Sequence, residues 1–102
     1  MSYRVRRPPC HDLAVGLSAD LADWTDWDVA QFALGRALGL FAGRPFLKVK
    51  SVFWTDNPLG NALYDMLQAL VRAGILEHRD APDDQFRWRA DAPLAGLVGD
   101  EV

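Results

Sequence analysis

Only one of the 102 residues is a cysteine, so no disulfide can form within the chain and its core has to hold by packing alone. Long apolar runs are missing too. That leaves no secretory h-region and no membrane-spanning stretch, and the expectation is a soluble cytoplasmic protein. A basic excess is absent: the formal charge is −3 and the sequence pI is near 5.1, so a polyanionic partner would have to be met by a local basic face. Histidine is scarce. Cys10 and His11 are adjacent and His78 is the only other imidazole, a spacing that fits neither a zinc site nor a Cys–His pair. No glycine-rich phosphate loop follows a strand, no nucleophile elbow is found, and no acid and base stand paired. These absences predict no enzyme activity, no catalytic residue, no cofactor and no bound metal.

What is present is ample apolar material. Half of the residues are hydrophobic, enough for one modest core and one domain. Residues 1–17 join a basic run, Arg4, Arg6 and Arg7, to a Pro-Pro break, and are read as an N-terminal arm. Residues 91–102 mix Pro, Gly and acid without periodicity and are read as a flexible C-terminal tail. The structured domain is expected over 18–90.

Within it, Ser18 can start a short helical turn, and Thr25 with Asp28 has the spacing of a capping box, which predicts a helix over about 26–41 that stops near Gly43, before Pro45. Trp27, Ala30, Leu34, Ala37, Leu38 and Phe41 form its broad apolar face. Val29, Phe32 and Leu40 spill beyond that face, so this helix is either sandwiched in the fold or pairs with a second chain, and those three residues are the candidate homodimer contact. The stretch "PFLKVKSVFWTDNP" alternates like a strand, yet Pro45 in a first turn and Val49, Val52 and Phe53 at i, i+3 and i+4 also suit a short helix. The turn cluster "TDNP" decides for the helix, since it supplies an N-cap, Asp56 or Asn57, for a further helix over 58–73 that carries Leu59, Leu63, Met66, Leu67 and Leu70. After Gly74 the period becomes two. "ILEHR" and "QFRWR" read as a hairpin across the loop "DAPDD", with Phe86 and Trp88 facing inward and the arginines outward.

Helix, short helix, tight turn, longer helix and hairpin together resemble the winged helix-turn-helix superfamily over about residues 26–90. The segment "LKVKSVFWTDNPLGNALYDMLQALVRAGILEHRD" is similar to bacterial regulators of the MarR and PadR groups, with "LVRAGILE" matching the end of their recognition helix and the start of the wing. The resemblance implies a mainly α fold with a small β-hairpin, a three-helix core plus wing. It also implies a small DNA-binding protein of the transcription-regulator kind that meets double-stranded DNA as a homodimer.

Carried over residue by residue, the resemblance puts Asn61, Tyr64, Gln68 and Arg72 on the helix face that would read a major groove, Asn and Gln being suited to adenine. Lys48 and Lys50 would serve as phosphate donors, and Arg79, Arg87 and Arg89 would be the wing contacts. Gln85 stands where related wings carry a minor-groove arginine. A plainer account of the wing arginines is pairing with Glu77 and the tip aspartates, worth roughly 0 to 1 kcal/mol for an exposed pair. From Arg44 to Arg89 there are seven Lys/Arg against six Asp/Glu. So balanced a surface leaves a second function open, a winged-helix module whose polar and acidic face binds another protein without DNA.

Overall fold

The computed structural model describes residues 9–91, with side chains from Ala14 onward. Arg4, Arg6, Arg7 and residues 92–102 of the expected tail lie outside them.

The first helix, α1, spans Pro9–Asp20, so the arm expected over 1–17 gives way to helix at its ninth residue. Pro9 opens this helix, because a proline at the first helical position gives up only an amide that has no intrahelical acceptor anyway. Ala14, Leu17 and Leu21 recur at i, i+3 and i+7 and are fully buried, which packs α1 on the next helix.

Thr25–Asp26 form a two-residue strand, β1, that runs straight into α2, Trp27–Ala37. The expected capping box does not form. Thr25 pairs with Phe86 in the sheet, its hydroxyl donates to Asp23 O at 2.9 Å, and Asp26 occupies the N-cap without a side-chain capping bond. Helix α2 ends before the expected stop because Gly39, at φ +85°, already takes the left-handed position. Leu40 N then donates to Gly35 O at 2.9 Å and Gly39 N to Arg36 O at 3.0 Å, the paired bonds of a Schellman closure.

Every residue from Ala30 to Gly35 is buried, so α2 is the sandwiched helix, held between α1, the sheet and the long helix α5, Pro58–Arg72. Phe32 is therefore not a surface contact for a second chain. It is 9% exposed and its ring stacks on Phe41 at 5.6 Å and meets Phe46 edge-on at 5.8 Å. Phe41 and Phe46 in turn reach Phe53. Leu40 is partly buried against the same core, and of the three expected dimer residues Val29 alone is exposed.

Residues 46–54 are helical, in two short turns, α3 (Phe46–Val49) and α4 (Ser51–Trp54). Asn57 is the N-cap of α5, accepting from Leu59 N at 2.9 Å, with Pro58 behind it. Gly74, at φ +81°, closes α5 as Gly39 closes α2, with Ile75 N on Leu70 O at 2.9 Å. Gly60 is buried where α5 crosses α4, and a Cβ there would overlap the Val52 carbonyl.

Strands β2 (Leu76–Arg79) and β3 (Gln85–Trp88) form the hairpin, and β1 adds a third antiparallel strand in the order β1-β3-β2. The pairs Leu76↔Trp88 and His78↔Phe86 share the inner face, while Glu77↔Arg87 and Arg79↔Gln85 share the outer one. Phe86 and Trp88 are buried as expected. The architecture is mainly α with a small three-stranded sheet, and no helix among the described residues is long and apolar enough to cross a membrane.

Candidate functional site

The residues expected to contact DNA do not share one surface. Arg79 and Arg87 lie on the outer face of the sheet, opposite the face on which Phe86 meets Tyr64 of α5 edge-on at 5.8 Å. Both guanidiniums stack on Trp24, at 4.4 and 4.5 Å from its ring centroid. Arg87 also donates to Glu77 Oε1 at 2.8 Å, Arg79 donates to Gln85 Oε1 at 2.8 Å, and Arg89 donates to Asp91 at 3.0 Å. Gln85 spends its other end on Asp26 of β1, at 2.8 Å. It stitches the three strands together from the position where an arginine would be expected in related wings.

The amides of α5 are similarly committed. Asn61 Nδ2 donates to Asp56 Oδ1 at 3.0 Å, and Gln68 Nε2 donates to Tyr64 Oη at 3.1 Å. Each amide thus has one N–H held within the protein, and a bidentate contact to adenine would fall to its second N–H and its carbonyl. Tyr64 is half-buried and its hydroxyl donates to Asp84 Oδ2 at 2.8 Å. Burial, reinforced by that bond to the Asp84 carboxylate, holds the phenol above its ordinary range. Lys48 and Arg72 are exposed with no ion pair among the described residues, and Lys50 lies 5.2 Å from the ring centroid of Trp54.

Two depressions share Trp27 as a common wall. One, of about 280 Å³, is lined by Trp27, Gln31, Phe53, Asn61, Tyr64 and Asp65. The other, of about 240 Å³, is lined by Asp26, Trp27, Asp28, Trp54, Asp83 and Asp84. Five carboxylates line the two, and neither lining includes a Lys or Arg. Trp54 is 60% exposed, yet it is held in place by a 2.7 Å bond from its Nε1 to Asp28 Oδ2. Asp84 is the hub of the region. Its carbonyl accepts from Trp27 N at 2.9 Å, joining the start of α2 to the loop of the hairpin, and its side chain takes Tyr64 on one oxygen and His78 on the other.

The hairpin also gathers His78, Asp80 and Asp84, whose ligand-type atoms lie within 4.8 Å of one another. His78 Nε2 is 2.5 Å from Asp84 Oδ1 and 3.3 Å from Asp80 Oδ1. One nitrogen and two oxygens are a chemically adequate set for a divalent cation, and sequence spacing did not reveal it because the fold of the loop makes it. The same groups satisfy one another by hydrogen bonding.

Sequence reasoning assigned Trp27 to the core and passed over Gln31 and the aspartates around both tryptophans. A signal for Gln31 did exist: it is a polar residue four positions after Trp27, inside the run Ala30 to Leu34 that is otherwise apolar. No protein-family model matches the chain, and comparison with curated proteins and with solved structures gives no match.

Proposed function

We propose that this chain is an interaction module of the winged-helix type that docks a Lys- or Arg-bearing segment of another protein on its Trp27 face. The observation that carries the reading is the pairing of indole with carboxylate across the two depressions: the partly buried Trp27 and the exposed Trp54 beside Asp26, Asp28, Asp65, Asp83 and Asp84, with no cation in either lining. Such a surface repels phosphate, whereas an ammonium or guanidinium gains from the ring faces and from the carboxylates at once. The element order supports the winged-helix type, with α2, the α3–α4 pair and α5 as the helices and β2–β3 as the wing.

DNA binding is the second reading. It is favoured by that same element order and by Lys48, exposed and without an ion pair among the described residues. A homodimer would double its phosphate contacts, and Val29, at 39% exposure, is the expected contact still on the surface.

One experiment separates the two. A labelled Lys-rich peptide and a random-sequence DNA duplex are titrated with the protein in low and moderate salt. The docking reading expects salt-sensitive peptide binding that Trp54→Ala and Asp83→Asn weaken, with no retarded duplex at tens of micromolar protein. A duplex retarded at low salt, and released by Lys48→Ala, together with an unbound peptide, would overturn it.

A further inference from the structure

We infer that the depression between α2, α4 and α5 is an anchor pocket for one slim, donor-bearing cation, the terminal ammonium or guanidinium of an unbranched chain. The inference deepens the docking reading by naming what enters the face, and it rests on that reading only for the claim that the cation belongs to a partner protein.

Gln31 is the deepest residue of the lining, at 2% exposure. Its Nε2 donates to Gly60 O at 2.6 Å, and this fixes the sense of the amide, since turning it over would set its oxygen against a carbonyl oxygen. Oε1 is then left buried with no partner, and it is the one such side-chain atom among the described residues. A buried acceptor without a donor is costly and is seldom left so. No donor of the pocket reaches it. Asn61 gives one N–H to Asp56 and keeps a spare carbonyl; the Tyr64 hydroxyl donates to Asp84; Asp65 is a carboxylate.

The acceptors left over in the lining are Gln31 Oε1, the Asn61 carbonyl and the Asp65 carboxylate, and the remaining walls are the aromatic rings of Trp27, Phe53 and Tyr64. That combination favours a cation with several N–H donors over an anion, one donor for Gln31 Oε1 and others for the carboxylate and carbonyl nearer the surface. The depth of Gln31 adds a steric condition. Oε1 itself exposes less than 1 Å², so a slender terminal ammonium or guanidinium has to displace the lining slightly to meet it, whereas a cation without donors gains the rings and leaves Oε1 unpaired.

The test is a nitrogen-15 NMR titration of the full chain that follows the Gln31 side-chain amide. The probes are n-butylammonium, n-butylguanidinium, tetramethylammonium and the neutral n-butanol. Either of the first two should shift that amide with saturation in the millimolar range, and comparing them identifies a lysine-type or arginine-type anchor. Tetramethylammonium and butanol should leave it in place. Gln31→Met, followed on the Trp27 indole N–H signal because its own amide is gone, should abolish saturable binding, and because that change also removes the bond to Gly60, the exposed rim variant Asp65→Asn serves as the check on folding-independent loss, with affinity reduced about two- to fivefold. Equal shifts from butanol, or ammonium shifts indifferent to Asp65→Asn, would overturn the pocket. If a Lys-rich peptide binds while neither donor cation moves Gln31, the pocket fails and the docking reading stands. If the cations bind and no basic peptide does, the docking reading fails and the pocket stands.

Discussion

Replacing Gly60 with alanine tests how closely α4 and α5 approach. The added methyl would overlap the Val52 carbonyl oxygen, with Val52 C at 3.2 Å and Phe53 Cα at 3.5 Å. All three are backbone atoms, so no rotamer change relieves the overlap and the two helices have to separate. Overpacking of this kind costs about 1 to 3 kcal/mol. Separation also moves Gly60 O away from Gln31 Nε2, a buried bond of 2.6 Å whose loss adds about 1 kcal/mol. Alanine returns a few tenths through its better helix propensity, less than usual so near a helix start. The net expectation is a loss of about 2 to 3 kcal/mol, a fall in Tm of about 10 to 20 °C for a domain of this size, read by circular dichroism melting and urea titration. The control is Gly16→Ala in α1, where a Cβ meets nothing within 4 Å and the same substitution should stabilise by about 0.5 to 1 kcal/mol. If Gly60→Ala matched the control in sign, the close crossing of α4 and α5, and with it the fixed orientation of Gln31, would be refuted.

Leu17→Ala should cost about 2 to 5 kcal/mol by urea titration, since Leu17 is 1% exposed; a negligible loss would return this segment to an arm outside the fold. Ala42 sits at φ +47° without being glycine, so Ala42→Gly should raise stability by about 0.5 to 1 kcal/mol after its gain in unfolded-state freedom is subtracted, and a lower Tm would refute that. Because the Tyr64 phenol is held above its ordinary range, the stability it contributes is present below about pH 10 and is lost as pH rises through its folded-state value. Tyr64→Phe should flatten the alkaline arm of a stability-versus-pH curve, and an unchanged arm would remove Tyr64 as its source. Arg87 and Glu77 side chains are each 36% exposed, so a double-mutant cycle on the pair should give at most about 1 kcal/mol.

The elements that could be read in the sequence are those whose signals are local. Asn57, Pro58, the leucines at 63 and 67 and Gly74 mark α5 at both ends and along one face, and the observed helix differs from the expected one by a single residue. The hairpin followed from the change of period after Gly74. Two other elements needed partners distant in sequence. Strand β1 is two residues long, too short to show alternation, and exists because Phe86 and Gln85 pair with it. Helix α1 was hidden behind a proline pair whose effect depends on whether it interrupts a helix or begins one. The pocket was less legible still, since Gln31, Phe53 and Asn61 come from three helices, and a glutamine's unpaired oxygen exists only once Gly60 has taken its nitrogen.

The same short strand bears on how the chain acquires its structure. Thr25 pairs with Phe86, 61 positions further along the chain, and Leu21 O accepts from Trp88 N, 67 positions further, at 2.8 Å. Helices α1 and α2 can form as they leave the ribosome, but the sheet edge beside them stays open until β3 has been made. Long-range closure of this kind is slow compared with helix formation, so the helices of this chain are expected to assemble early and its sheet to seal late. A truncation just before Gln85 should yield a collapsed helical intermediate whose unpaired β1 and uncovered inner face make it prone to associate with copies of itself.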